Sequence, residues 1–304
     1  WSQSPYYNDL CPYDERAKTR AVTGCVATAM AQIMRYWGYP TMGSGFHSYT
    51  HPLYGTLSAN FAATYYDWNN MPDALSGPNL PVATLMYHCG VSVDMGYGVG
   101  GSGAAGSIVV APALFQYFNY SSSLSIKDRN SYSYTDWTNL LKEELLFGRP
   151  IYYQGYGNVG GHAFVCDGFN DGNFFHFNWG WGGASDGYFL IDELTPGSMT
   201  FNNGQSVVIG IQPPPDQMEV NLQIAEELKI NNSSIPYGSG FSVSAVLLNN
   251  ALDEFTGDVA AAILSENNDF IDYISVIHNV DLKNNQLDTF TFSTDGIVKM
   301  TPGN

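Results

Sequence analysis

Positive charge is scarce in this chain. Its 304 residues carry 11 Lys and Arg against 28 Asp and Glu, a formal net charge of −17. That balance excludes a nucleic-acid backbone or an anionic membrane surface as partner, because both are held by a basic footprint. Cysteine is scarce as well: four, at 11, 25, 89 and 166, do not make a disulfide framework in a chain this long. No run approaches the ~18 apolar residues that span a bilayer, and the sequence opens with Trp1, without an initiator Met or a signal-peptide pattern. The expectation is a processed or trimmed form. What is present, 44% apolar and 13% charged residues, is the composition of a folded globular protein, long enough for two domains.

The stretch around which the rest is organised is Thr23 to Trp37, closed by Gly38-Tyr39-Pro40. After Gly24 it is built of good helix formers, with Met30, Ile33, Met34 and Trp37 at three- and four-residue spacing, and Gly38 and Pro40 as a stop. Cys25 therefore stands at a helix start, where unpaired backbone N–H groups and the positive end of the dipole favour thiolate over thiol. Alone, this is equally the position of a packing cysteine.

In chain order, residues 1–8 read as an extended aromatic-rich opening segment and residues 41–80 as loop-rich. His47 and His51 lie in that stretch, with no helical pattern to bring them together as a metal pair. Leu80–Val91, Ile108–Asn119 and Asp136–Phe147 read as helices, the first with Cys89 on its core side. Gly98-Val-Gly-Gly-Ser-Gly103 matches GxGxxG, but no strand feeds it and no acidic residue follows at ribose-binding distance. It reads as a flexible loop bordering a cleft rather than a dinucleotide site. From Pro150 the period changes to strands at 150–155, 162–168, 173–179, 187–191 and 207–211, an antiparallel sheet after a helical half.

Pro213-Pro214-Pro215 then breaks the chain. Residues 216–304 have net charge −10 against −7 for residues 1–215, lack Cys and Trp, and alternate short apolar runs with Asn- and Asp-rich turns. Regular short strands of this kind predict a β-sandwich with no evident catalytic constellation.

A cysteine nucleophile requires a base. His162, after Gly160-Gly161 at the head of a strand, is the best placed. Asn178, between Phe177 and Trp179, offers an amide to hold the imidazole, with the Trp179 indole to cover that bond. The string Trp179-Gly180-Trp181-Gly182-Gly183 reads as a lined groove.

Three stretches, Thr23-Gly24-Cys25-Val26-Ala27-Thr28-Ala29, Gly160-Gly161-His162-Ala163-Phe164-Val165 and Asn178-Trp179-Gly180-Trp181-Gly182-Gly183, together resemble the streptopain family of bacterial cysteine proteases, a branch of the papain-like fold. The likeness runs from Trp1 to about Ile211. It implies an α+β fold: a papain-like catalytic domain over residues 1–212 with a helical half and an antiparallel-sheet half, a Pro linker at 213–215, and a smaller immunoglobulin-like β-sandwich at 216–304. It also implies Cys25 as nucleophile, His162 as general acid/base, Asn178 and Trp179 as orienting and shielding groups, and Gln3 as side-chain partner of the Cys25 N–H in an oxyanion hole. Gly103, Gln154, Tyr156, Gly161 and Trp181 fall on the substrate-binding surface, with Tyr156 where one member of the family has a smaller aliphatic residue.

The implied activity is endopeptidase cleavage of protein or peptide substrates through a thioester, with no cofactor and no metal. The implied biology is a secreted, cell-surface or periplasmic bacterial enzyme restrained by an N-terminal prodomain. Two other classes compete: a transglutaminase-like Cys-His acyltransferase, and a non-catalytic surface binding protein whose working part is the sandwich.

Overall fold

The computed structural model describes residues 1–170, 172–214, 222–231, 235, 239–250, 254–264, 270–283 and 285–294. The chain divides into two compact units, Trp1–Pro214 and Pro215–Asn304. Pro215 of the Pro run and the start of the following segment, 216–221, lie outside the described residues, as does the chain end at 295–304.

In the first unit, short strands β1 (Tyr13–Asp14) and β2 (Thr19–Arg20) precede helix α1 (Cys25–Trp37). Gly24, at φ 88°, turns the chain into α1, and Gly38 ends it in the left-handed conformation with its N–H donating to Arg35 and Met34 carbonyls. A β-carbon on Gly24 would sit 2.8 Å from Met95 Sδ and 2.9 Å from the Ser102 carbonyl, so only glycine brings Cys25 this close to the 95–102 segment. The helix is buried over Val26 to Ala31 and again at Ile33 and Met34, a central rather than a surface helix.

The stretch expected to be loop-rich instead contains a hairpin, β3 (Phe46–His51) and β4 (Gly55–Asn60), paired from Phe46↔Asn60 to His51↔Gly55. Helices α2 (Leu80–Ser92), α3 (Ser107–Phe118) and α4 (Tyr134–Leu146) follow, with β5 (Ser125–Asp128) between the last two. The second half supplies β6 (Ile151–Gly157), β7 (Gly160–Phe169), β8 (Phe175–Asn178), β9 (Gly187–Phe189) and β10 (Asn203–Ile209). They join β5 in one antiparallel sheet of order β5-β10-β6-β7-β8-β9.

The two-residue period of those strands sorts their side chains onto two cores. Tyr152, Ala163, Val165 and Val208 point to the core built around α1 and α2. Ile151, Tyr153, Phe164, Cys166, Phe177 and Val207 point to the opposite core, with Trp137 and Leu141 of α4 and with Ile191, Leu194 and Phe201. Cys11, Cys89 and Cys166 are buried and unpaired; Cys25 alone is partly exposed.

In the second unit, β11 (Leu222–Ile224), β12 (Lys229–Ile230), β13 (Phe241–Asn249) and β16 (Leu287–Thr294) pair around β13. The hairpin β14 (Phe255–Leu264) and β15 (Phe270–Leu282) pairs separately. A small cluster of Ala245, Val259, Val280, Leu282, Phe290 and Phe292 joins residues from both sheets.

Candidate active site

Cys25 opens α1 and His162 lies near the start of β7, and both line one cleft of about 150 Å³ together with Ser102, Gly103, Ala104, Gly106, Gln154, Gly155, Tyr156, Gly161 and Ala163. A larger cavity, about 500 Å³, opens elsewhere on α1 beside Gln32, Arg35, Arg149 and Asp167, and neither Cys25 nor His162 lines it.

Backbone N–H groups of Ala163, Val26 and Cys25 itself are aimed at the Cys25 sulfur and lower its pKa, as expected at a helix start. Burial is the larger effect and leaves the thiol raised from its ordinary value. Burial also pushes His162 down to about 4, opposed by its hydrogen bond to Trp179. The helix-start N–H groups thus act in the expected direction, towards thiolate, and burial opposes them.

His162 Nε2 lies 2.9 Å from the Trp179 carbonyl oxygen. A carbonyl only accepts, so Nε2 carries the hydrogen and Nδ1 is the basic nitrogen of the neutral ring. Asn178, expected to hold this ring, does not: its Oδ1 accepts from the Gly180 N–H at 3.0 Å, and it lines the larger cavity. The reason is strand parity. Asn178 is paired with Val165, and Phe177 with Cys166, so Asn178 shares the Val165 face, while His162 shares the face of Phe164 and Cys166.

The same parity sets Trp179, next after β8, on the His162 face, and the loop that follows brings Trp181 back onto the same ring. Trp179 is fully buried, so it is core rather than groove lining. Its ring lies 4.5 Å from Phe164 and 6.4 Å from His162, near parallel to the imidazole at 14°. Trp181 is half-buried and stacks on His162 at 4.8 Å and 23°. Phe201 closes a third side at 5.1 Å. These rings explain the burial that depresses the histidine.

The glycine-rich segment is tied down rather than loose. Gly96 and Gly103 exchange backbone hydrogen bonds at 2.8 and 3.2 Å. Ser102 Oγ accepts from the Gly98 N–H at 3.0 Å and donates to the Val22 carbonyl at 2.7 Å. Gln154 Oε1 accepts from Ser107 N–H at 2.8 Å, capping α3 at the cleft wall. A β-carbon on Gly106 would overlap that amide. Tyr156 is half exposed at the cleft and lies against Gly161. Gln3 does not line the cleft, but its carbonyl accepts from the Thr23 N–H at 3.2 Å, so the opening segment is folded back beside the approach to Cys25.

The two early histidines have separate partners. His47 Nε2 pairs with Asp94 at 2.7 Å, and His51 Nδ1 accepts from the Leu53 and Tyr54 N–H groups.

Sequence reasoning missed the Trp179 carbonyl and two groups of the loop beyond it, because backbone acceptors leave no side-chain signature. The Trp179 N–H donates to Asp186 Oδ1 at 2.9 Å and its indole N–H to the Ser185 carbonyl at 3.0 Å. Asp186, directly before β9, was the available signal.

Residues 1–189 match the Peptidase C10 family. The chain belongs to that family. Streptopain of Streptococcus pyogenes is 42% identical over 242 residues, covering 70% of this chain and 60% of the relative. The thiol protease/hemagglutinin PrtT of Porphyromonas gingivalis is 39% identical over 232 residues, covering 71% of this chain and 26% of that protein. Among solved structures, active wild-type interpain A cysteine protease of Prevotella intermedia superposes with a TM-score of 0.64 at 40% identity, covering 69% of this chain and 91% of the other. A prointerpain A fragment gives 0.61 at the same identity, with 69% of each chain covered. The chain thus spans about three fifths of the streptopain length. Its mixed helix-and-sheet first unit is similar to the interpain A fold, and it is a streptopain-type member of the Peptidase C10 family.

Proposed function

We propose that this chain is a cysteine endopeptidase that hydrolyses protein or peptide substrates through a thioester on Cys25. The observation that carries the reading is one cleft lined by the single partly exposed cysteine and by a histidine whose Nε2 is occupied by the Trp179 carbonyl. Nδ1 is left as the proton acceptor.

In this reading His162 takes the Cys25 thiol proton and the sulfur attacks the scissile carbonyl. The tetrahedral oxyanion is held by the Cys25 backbone N–H and the Gln3 side-chain amide. His162 then protonates the leaving amine, the thioester forms, and His162 activates the water that hydrolyses it. Trp179 and Trp181 shield the ring from water through these steps. Gly103, Gln154 and Gly161 form the substrate walls, and Tyr156 narrows the subsite for the side chain preceding the cleaved residue.

The first unit carries this activity, as a papain-like domain over residues 1–212, and residues 216–304 form an immunoglobulin-like β-sandwich appendage. The working form is secreted or surface-associated in a bacterium and is restrained by an N-terminal prodomain in its precursor. That part of the proposal is supported by the relatives, one of which is a prointerpain. The test is cleavage of casein and a peptide library under reducing conditions, with and without an epoxide cysteine-protease inhibitor, for the full chain and for a form lacking residues 215–304. Inhibitor-sensitive cleavage by both forms is expected. Absence of cleavage, or cleavage that requires the second unit, would contradict it.

A further inference from the structure

The loop of residues 179–186 joins β8 to β9 beyond their last pair, Phe177↔Gly187. It carries both groups that hold the catalytic imidazole: the Trp179 carbonyl on Nε2 and the Trp181 ring on its face. Four of its residues, Gly180, Gly182, Gly183 and Ser185, have φ between 65° and 91°, so backbone preference does little to define its shape. Its closure comes from side-chain and turn hydrogen bonds and from the Gly182 N–H donating to the Trp1 carbonyl at 2.8 Å. Asp186 Oδ1 accepts from the Trp179 N–H at 2.9 Å, and the Asp186 N–H donates to the Gly183 carbonyl at 3.3 Å. The Trp179 indole adds its bond to the Ser185 carbonyl, next to Asp186.

We propose that Asp186 is a positioning residue for His162, acting through Trp179. The carboxylate oxygen continues the β8–β9 ladder by one rung, with a side chain in place of a backbone carbonyl. It grips the N–H of the residue whose own C=O grips the histidine. The peptide plane of Trp179, and with it the direction of the His162 acceptor, is fixed from both ends. What matters for the ring is the location of the accepting oxygen; the carboxylate charge is felt by Asp167 and not by His162. The inference rests on the reading of Cys25 and His162 as the reacting pair.

The experiment compares wild type with Asp186→Asn, Asp186→Glu and Asp186→Ala. It reads kcat and KM on a peptide substrate, the rate of Cys25 alkylation by iodoacetamide at mildly acidic pH, and folding by near-UV circular dichroism. Asp186→Asn keeps an oxygen in place and is expected to retain kcat within about threefold. Asp186→Glu keeps the charge but displaces the oxygen, and with Asp186→Ala is expected to lose about 30- to 100-fold in kcat with KM nearly unchanged, the size that a misplacement near 1 Å produces. Both should alkylate more slowly at Cys25.

Wild-type kcat in Asp186→Ala or Asp186→Glu, a loss in Asp186→Asn as deep as in Asp186→Ala, or a change confined to KM would overturn the assignment. So would unfolding of all three variants. If Asp186→Ala alone fails to fold, the Asn and Glu pair decides. A wild-type chain that alkylates at Cys25 but cleaves no peptide would instead overturn the endopeptidase reading, and alkylation rates would still decide the role of Asp186.

Discussion

His162 donates from Nε2 to the backbone carbonyl of Trp179, 2.9 Å away, while the neighbouring Asn178 amide serves the Gly180 N–H. A main-chain acceptor cannot be removed by substitution. Asn178→Ala is therefore expected to lose only a few-fold in kcat, by loosening the turn at Gly180. A loss on the order of 10⁴, the size that follows removal of a triad's orienting group, would return that role to Asn178. Steady-state kinetics on one peptide substrate decides.

The depressed histidine sets the acid limit of activity. His162 must be unprotonated at Nδ1 to take the thiol proton, and burial holds its pKa at about 4 instead of 6.5. The competent form is complete above that value and is lost as pH falls through it. A profile of kcat/KM against pH should stay level on descending through the ordinary histidine range and fall only towards about 4. A limb centred near the ordinary value would mean that the aromatic enclosure does not keep the ring dry.

Stability should respond to the same depressed histidine, and in the same direction. His162 and His88, the latter buried against Tyr66 with a 2.9 Å contact at Nδ1, both have pKa values pushed from 6.5 down to about 4 by burial. Between those values the unfolded chain binds protons that the folded chain refuses, so stability falls as pH falls across that window. Each histidine contributes about 3 kcal/mol over the full window, from ~1.4 kcal/mol per pKa unit. Denaturant unfolding of the first unit at a series of pH values should show the decline, and His88→Gln should make it shallower. An unchanged slope in that variant would show His88 to be solvated.

Gln3 is the most exposed part of the catalytic proposal, because its backbone, at Thr23, is what the structure fixes. Gln3→Ala should lower kcat by ~10²–10³ with the fold intact, the usual effect of deleting one oxyanion donor. Wild-type cleavage by a folded Gln3→Ala variant would remove it from the mechanism.

How much of this was legible in the sequence follows from the range of the interactions. Helix α1 was readable because its determinants are local: good formers from Cys25, and Gly38 to stop it. The β6–β10 strands announced themselves through runs such as Ile151-Tyr152-Tyr153 and Phe175-His176-Phe177. The β3–β4 hairpin did not. Its residues are mostly Ser, Thr, Tyr, His and Gly, and only His51, Leu57 and Ala59 are buried, too weak an alternation to read. Strand β5, only four residues long, was missed for a similar reason.

In the cleft, the pairing of Cys25 with His162 was accessible through motif resemblance. The third group was not, since it depends on the register Val165↔Asn178. That register is settled between strands and not within either, and it turns Asn178 to the far face.

The central claim, that Cys25 is the reacting thiol, is tested most directly by mass spectrometry of the chain after treatment with an epoxide cysteine-protease inhibitor. Cys11 is buried with its thiol pushed up to about 12, and burial raises Cys89 and Cys166 as well. The account predicts one adduct per chain, on Cys25, gained in step with loss of casein cleavage and absent from Cys25→Ala, which should cleave nothing. Cleavage surviving in Cys25→Ala, or inactivation with the adduct on another residue, would contradict it.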